Sequence, residues 1–60
     1  MLVENIKKAC QKKQITLIDL ERRAGLPINS IYKWDRNDPS IKRVARVASI
    51  LGVTVDELLK

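Results

Sequence analysis

Apolar side chains recur along this chain with a period near 3.6 residues, and no stretch shows the alternation of a β-strand. In the first stretch, one helical face collects the apolar side chains, and most of the lysines fall on the opposite face. This pattern predicts a first helix from about Leu2 to Lys13. Its expected inward positions are Leu2, Ile6, Ala9 and Cys10.

The next apolar positions divide into two short helices that meet at a glycine. Gly25 can adopt the left-handed conformation that ends a helix, and Pro27 suits the first turn of the next one. We therefore expect a second helix over about 16–24, capped by Thr16, and a third over about 28–36. This layout is that of a helix-turn-helix. Its apolar positions at helical spacing are Leu17, Leu20, Ala24, Ile31 and Trp34.

The remaining stretch predicts two further helices. Residues 37–39 favour a turn, and Ser40 follows as the expected cap of a fourth helix that ends at Gly52. Thr54 and Glu57 have the spacing of a capping box and open a short fifth helix. The fold class is therefore all-α. The apolar positions are Ile41, Val44, Ala45, Ala48 and Leu51 in the fourth helix and Val55, Leu58 and Leu59 in the fifth.

Few residues of the chain could perform covalent or metal chemistry. One cysteine and no histidine leave no intramolecular disulfide and no usual zinc ligand set. We expect Cys10 to be buried as a small hydrophobic residue. The sequence therefore predicts neither enzymatic activity nor a metal or cofactor. The acidic residues are expected at scattered surface positions: Glu4, Asp19, Glu21, Asp35, Asp38, Asp56 and Glu57.

Length and charge suggest the kind of partner. Residues 1–60 make one small domain, which buries only part of its surface and gains stability from binding a partner. The net charge of +5 and the isoelectric point of about 9.8 favour phosphates or an acidic surface. The sequence shows neither a membrane-spanning apolar run nor a signal peptide at its start, so we expect a cytoplasmic location.

Several short motifs resemble one family of regulators. The chain looks like a phage-repressor/Cro-type helix-turn-helix domain of the Xre family, closest to small repressor-like regulators of Gram-positive bacteria and their phages. The motifs that carry this resemblance are Asn5-Ile6-Lys7-Lys8, Leu20-Glu21, Ser30-Ile31-Tyr32-Lys33-Trp34, Pro39-Ser40, and Leu51-Gly52-Val53 followed by Asp56, Leu58 and Leu59. They cover nearly the whole chain in the family's order.

The resemblance implies a compact five-helix, lambda-repressor-like domain that binds double-stranded DNA and regulates transcription, as a repressor and as a homodimer on its operator. The third helix would then face the base edges. Asn29 could pair with adenine, Lys33 with guanine, and Ile28 could contact a thymine methyl group. The residues expected at the bases are Pro27, Ile28, Asn29, Tyr32 and Lys33.

Groups that flank the third helix are the natural partners of DNA phosphates. For Lys42 and Arg43, a solvated helix face is the alternative interpretation. Ser30 is either a phosphate contact or a small residue where two helices approach. The expected phosphate contacts are Thr16, Ser30, Arg36, Asn37, Lys42 and Arg43.

Two positions keep a second function open. Leu17 stands where many relatives have a DNA-contacting glutamine, and Ile28 adds another apolar residue near the same surface. An apolar surface of this kind suits a protein-interaction module, such as an antitoxin or regulatory domain. We expect Trp34 to be a core residue that seats the third helix rather than a base-stacking residue.

Overall fold

The computed structural model describes residues 2–60, and that part of the chain contains four α-helices, one 3₁₀ helix and no strand. The predicted all-α class is therefore confirmed. The domain measures 26 × 24 × 18 Å along its principal axes. The helices are α1 (Leu2–Lys13), α2 (Leu17–Ala24), the 3₁₀ helix (Ile31–Asp35), α3 (Ile41–Leu51) and α4 (Val55–Leu59).

Three of the helices begin at the hydroxyl residues that the sequence indicates. Thr16, Ser40 and Thr54 have extended backbones, and each hydroxyl oxygen accepts a hydrogen bond from the backbone N–H three residues later, at 3.0, 3.3 and 3.1 Å. Such a bond satisfies a donor that the first helical turn leaves without a partner. The predicted starts of α2, α3 and α4 are confirmed.

Left-handed residues end the first three α-helices. Gly25 and Gly52 have φ angles of 70° and 71°, as the sequence predicts for the ends of α2 and α3. Gln14 ends α1 in the same way with a φ of 59°, although it carries a side chain. The N–H of Ile15 then donates to the carbonyl oxygen of Cys10 at 3.0 Å, which closes the helix end.

The third helix is not the α-helix over residues 28–36 that the sequence predicts. Residues 28–30 form a turn in which Asn29 has a φ of 67°, and a left-handed residue cannot continue a right-handed α-helix. The bonds that follow span three residues: Ser30 N–H donates to the Pro27 oxygen at 3.1 Å, and Lys33 N–H donates to the Ser30 oxygen at 3.1 Å. A 3₁₀ helix is the result.

The core forms where all five helical elements meet. Ile6, Leu20, Ile31 and Val47 have no exposed surface, and Trp34 is 6% exposed, so the expected burial of Ile31 and Trp34 is confirmed. Cys10 is also in the core, where burial raises the pKa of its thiol above the ordinary value. The remaining buried apolar residues are Val3, Ala24, Val44, Ala48, Leu51 and Leu58.

The inward face of α3 differs from the predicted one. Ile41 is 64% exposed at the first residue of the helix, and Ala45 is exposed as well, so both predictions of burial are wrong. The buried residues are instead Val44, Val47, Ala48 and Leu51, which form one stripe at helical spacing. α3 packs on α2, α1 and α4, and this stripe faces them. Among residues 2–60, no helix is both long and apolar enough to span a bilayer.

Candidate nucleic-acid interface

Residues 27–35, here called the 3₁₀ segment, divide cleanly into buried and exposed side chains. Ile31 and Trp34 are buried, and because residues three apart eclipse each other in a 3₁₀ helix, both point into the core. Ile28 is 63% exposed and Tyr32 is 51% exposed. The core therefore fixes the segment from one side and leaves the other side free for a ligand. The exposed residues include Pro27, Ile28, Asn29, Tyr32 and Lys33.

The side chain of Glu21, on α2, is hydrogen-bonded to the backbone of this segment. The side chain is 1% exposed, and its two carboxylate oxygens accept hydrogen bonds from the backbone N–H groups of Asn29 and Ile31 at 3.0 and 3.1 Å. The expectation that Glu21 lies on the surface is therefore wrong. Its burial is compensated because the carboxylate satisfies two donors at the start of the 3₁₀ helix.

The backbone of the same glutamate also holds the turn. Leu26 N–H donates to the Glu21 carbonyl oxygen at 2.8 Å, and Gly25 N–H donates to the Arg22 carbonyl oxygen at 3.2 Å. This pair of bonds is a Schellman motif, which the left-handed Gly25 makes possible. Glu21 thus bonds to three points of the chain after α2, and these bonds define the path between α2 and the 3₁₀ helix.

A positively charged cleft lies beside the 3₁₀ segment. Two shallow concavities of about 320 and 340 Å³ adjoin one another at Pro27, Ser40 and Arg43. The N-terminus of α3 lies between them, and the helix dipole favours anions there. One acidic residue, Asp38, also lines the cleft, so the basic residues outnumber the acidic one. We call this feature the cationic cleft, defined by the basic residues that line it: Lys33, Lys42, Arg43 and Arg46.

Arg46 has a structural role that sequence reasoning missed. Its guanidinium Nη1 donates to the carbonyl oxygen of Ala24 at 3.2 Å and so joins α3 to the last turn of α2. Its position three residues after Arg43 on an amphipathic helix was the available signal, because such residues share one helical face. The bond fixes one wall of the cationic cleft relative to the glycine turn.

Comparison with known proteins agrees with this arrangement of helices. The family of Cro/C1-type helix-turn-helix DNA-binding domains matches residues 5–60. The chain belongs to this family. The resemblance that the sequence motifs carry is thereby confirmed. Cro/C1-type domains are DNA-binding modules and not a class of enzymes.

A curated relative extends the comparison. The chain is 31% identical over 62 aligned positions to YqaE of Bacillus subtilis (strain 168), an uncharacterised HTH-type transcriptional regulator. The match covers all of this chain and 53% of the relative, so the chain spans about half the length of that protein. No solved structure matches the chain significantly.

In this Cro/C1-type domain, about half of the residues expected to contact DNA come together. Lys42 lines the concavity at the glycine turn, and Arg43 lies between the two concavities. Ile28, Asn29 and Arg36 are exposed but line neither concavity. The expected contact residues in the cleft are Pro27, Ser30, Lys33, Asn37, Lys42 and Arg43.

Ser30 and Thr16 use their hydroxyl groups differently. The Ser30 oxygen is fully buried and has no hydrogen-bond partner among the described residues, so it points away from the solvent. The Thr16 oxygen accepts a bond from Asp19 N–H, and its own proton remains available to donate to a phosphate. Of the two, Thr16 is the better placed for a phosphate contact.

Tyr32 lies on the side of the 3₁₀ segment that faces α1. The Lys7 ammonium group is 5.2 Å from the centre of the Tyr32 ring, within the range of a cation–π interaction. Lys7 is one of the lysines on the face of α1 opposite its apolar positions. Sequence reasoning missed its contact with Tyr32 because the contact joins residues of two different helices. The interaction restrains an otherwise exposed tyrosine.

Proposed function

We propose that this domain binds double-stranded DNA sequence-specifically and regulates transcription, acting as a repressor. The 3₁₀ segment, with Lys33, would enter the major groove, and Lys42 and Arg43 of the cationic cleft would bind the adjacent phosphates. The supporting observation is the exposed face of the 3₁₀ segment, which packs on the core with its other face. This exposed face carries Lys33 and lies beside the three basic residues of α3 that line the cleft. A rigid element next to a fixed positive charge is what groove recognition requires.

Within this proposal, Asn29 and Lys33 are the main base-reading residues. An asparagine can make two hydrogen bonds to adenine, and a lysine can donate to guanine O6 and N7. Ile28 would add an apolar contact to a thymine methyl group. Lys42, Arg43, Arg36, Asn37 and Thr16 would contact phosphates, which position the protein without reading sequence.

The size of the domain favours two copies on one operator. Its largest dimension is 26 Å, whereas equivalent half-sites on one face of DNA are roughly 34 Å apart. One copy therefore reads a single half-site, and we propose that a homodimer reads two related by two-fold symmetry. Selection of binding sites from random duplexes tests this, because dimer binding enriches inverted repeats with a fixed spacing.

We expect the affinity for any duplex to fall steeply as salt rises. Each phosphate that a basic side chain neutralises releases counterions, so several contacts per subunit give a strongly negative slope of log affinity against log salt. A titration of duplex binding between low and physiological salt measures this slope. An affinity that stays flat over that range would contradict the proposal.

Variants in the 3₁₀ segment and the cationic cleft should separate base reading from phosphate binding. We expect Asn29→Gly and Lys33→Ala to cost roughly 1–3 kcal/mol on the selected site and to relax the preference at single base positions. Glycine is the appropriate replacement at position 29, because alanine would strain the φ of 67° and confound binding with folding. Lys42→Ala should weaken all duplexes about equally and lower the salt slope by about one unit.

Lys12→Ala is the matched control for Lys42→Ala. Lys12 carries the same charge but lines a different concavity, between α1 and the α3–α4 region. We expect its loss to leave the salt slope nearly unchanged. The assay is a salt series on the selected and a scrambled duplex; equal slopes for both lysine variants would argue against a specific phosphate role for Lys42.

A protein-interaction function is the second candidate. Of the two residues that suggested this function from the sequence, Leu17 is partly buried against the core, whereas Ile28 is 63% exposed. Ile18 is also 46% exposed, and apolar side chains exposed to this degree can contact another protein. In that case, the domain would show no salt-dependent shift of duplex DNA. The same titration therefore distinguishes the two functions.

A further inference from the structure

The conformation of Asn29 requires an explanation that its own side chain does not provide. Its φ of 67° is uncommon for any residue other than glycine, although asparagine tolerates it better than most. Pro27, two residues earlier, has no backbone N–H, so it cannot donate a hydrogen bond to α2. An interaction from elsewhere in the fold must stabilise this backbone.

The buried carboxylate of Glu21 provides that interaction. It accepts from Asn29 N–H at 3.0 Å and from Ile31 N–H at 3.1 Å, on either side of Ser30, the residue before the 3₁₀ helix. A carboxylate suits this position because both of its oxygens are acceptors, and bonds to a charged acceptor are stronger than neutral ones. Its full burial excludes competing water.

We propose that Glu21 is a positioning residue for DNA recognition. This inference rests on the proposed function: Glu21 does not touch DNA, but it fixes the backbone from which Asn29 and Lys33 approach the bases. Without both bonds, the backbone of residue 29 would relax from its positive φ toward the right-handed region. Its side chain would then no longer point toward the base edges. Sequence preference would fall while phosphate binding persisted.

Glu21→Gln tests this role with little change in shape. The amide keeps one acceptor oxygen but turns an NH₂ group toward the second backbone donor, so one of the two bonds is lost. We expect amide hydrogen exchange at Asn29 and Ile31 to become faster in the free protein. The ratio of affinities for selected and scrambled duplexes should fall roughly tenfold, with scrambled binding nearly unchanged.

Two further variants separate positioning from general stability. Leu58→Val removes core volume on α4, which packs on α1 and α3. It should leave the affinity ratio of the folded domain unchanged, and it should speed the exchange of the Asn29 and Ile31 amides no more than that of the other core amides. In a double-mutant cycle, Glu21→Gln should relax the same base positions that Asn29→Gly relaxes, and it should have little additional effect at those positions once residue 29 is glycine.

The outcomes distinguish this inference from the proposed function. A wild-type domain that selects no sequence would overturn both. A wild-type domain that selects a sequence, together with a Glu21→Gln variant that keeps the full affinity ratio, would overturn the role of Glu21 alone. Additive losses in the cycle at the shared base positions would also overturn it. If Glu21→Gln does not fold, the same measurements are made on Glu21→Asp, which keeps the charge but is one methylene shorter. The results that would overturn the role of Glu21 are then the same.

Discussion

Replacement of Trp34 by alanine is expected to destabilise the domain by about 3–5 kcal/mol, the usual cost of removing a buried aromatic side chain. Trp34 is 6% exposed and lies on the 3₁₀ helix, which packs against α1. A domain of this size has a stability near the lower end of about 5–15 kcal/mol. Trp34→Ala should therefore retain roughly 0–2 kcal/mol of stability, and up to about half of its population should be unfolded at the largest loss.

Thermal unfolding followed by far-ultraviolet circular dichroism measures this effect. This signal does not depend on tryptophan fluorescence, which the alanine variant lacks. Trp34→Phe is the matched control, because it keeps an aromatic ring in the core and should lose much less stability. Because Trp34 seats the 3₁₀ segment, DNA binding by the alanine variant should fall with the folded fraction. A thermal midpoint close to the wild-type value would contradict the core role of Trp34.

Gly25→Val should destabilise the fold by about 1–2 kcal/mol or more, because a β-branched residue is poorly accommodated at a positive φ. The cost comes from the backbone rather than from crowding. A Cβ atom at Gly25 would lie 3.8 Å from Arg46 Nη1, an ordinary contact distance, whereas φ is 70°. Chemical denaturation of both proteins measures the difference in the free energy of unfolding.

Gly25→Asn provides the control for backbone strain. Asparagine adopts the left-handed conformation more readily than valine, so its loss of stability should be clearly smaller. If valine and asparagine were equally destabilising, crowding would be the cause and the backbone explanation would be wrong. If neither had an effect, the turn would not depend on glycine.

The sequence was sufficient to predict the parts of the fold that depend on neighbouring residues. Thr16, Ser40 and Thr54 cap helices through bonds that span three residues, and the glycines end helices through local backbone geometry. These interactions involve short segments, so short patterns reveal them. The left-handed Gln14 is an exception, because it ends α1 at a residue with no comparable signal.

Interactions between distant elements were not predictable in the same way. Glu21 bonds to residues eight and ten positions further along the chain, and Arg46 bonds to a carbonyl group twenty-two positions earlier. A glutamate on an amphipathic helix is usually solvated, so the pattern favours a surface position for Glu21, which is buried. Arg46 is exposed as an arginine usually is, and its position on the helix does not indicate which carbonyl group it bonds. Only the packing of α2 against the following elements gives these groups their partners.

The candidate interface was predictable only in part, because it depends on both local interactions and interactions between distant elements. The exposure of Asn29 and Lys33 followed from the sequence. Lys33 lies between the apolar Ile31 and Trp34, and Asn29 lies in the turn before Ile31. The 3₁₀ geometry did not follow, because the left-handed Asn29 depends on Glu21. Lys33 and Arg43 line the same concavity because α3 packs on α2, and this packing could not be read from either segment alone.

The division of the 3₁₀ segment into buried and exposed residues also bears on how such regulators diversify. Substitutions at Ile28, Tyr32 and Lys33 disturb no core contact, and exposed positions usually tolerate change within about 0.5 kcal/mol. Under the proposed function, new base preferences can therefore arise at these positions without unstable intermediates. Position 29 is the exception. Its left-handed backbone favours glycine, asparagine and aspartate, so few residue types are compatible with the fold there.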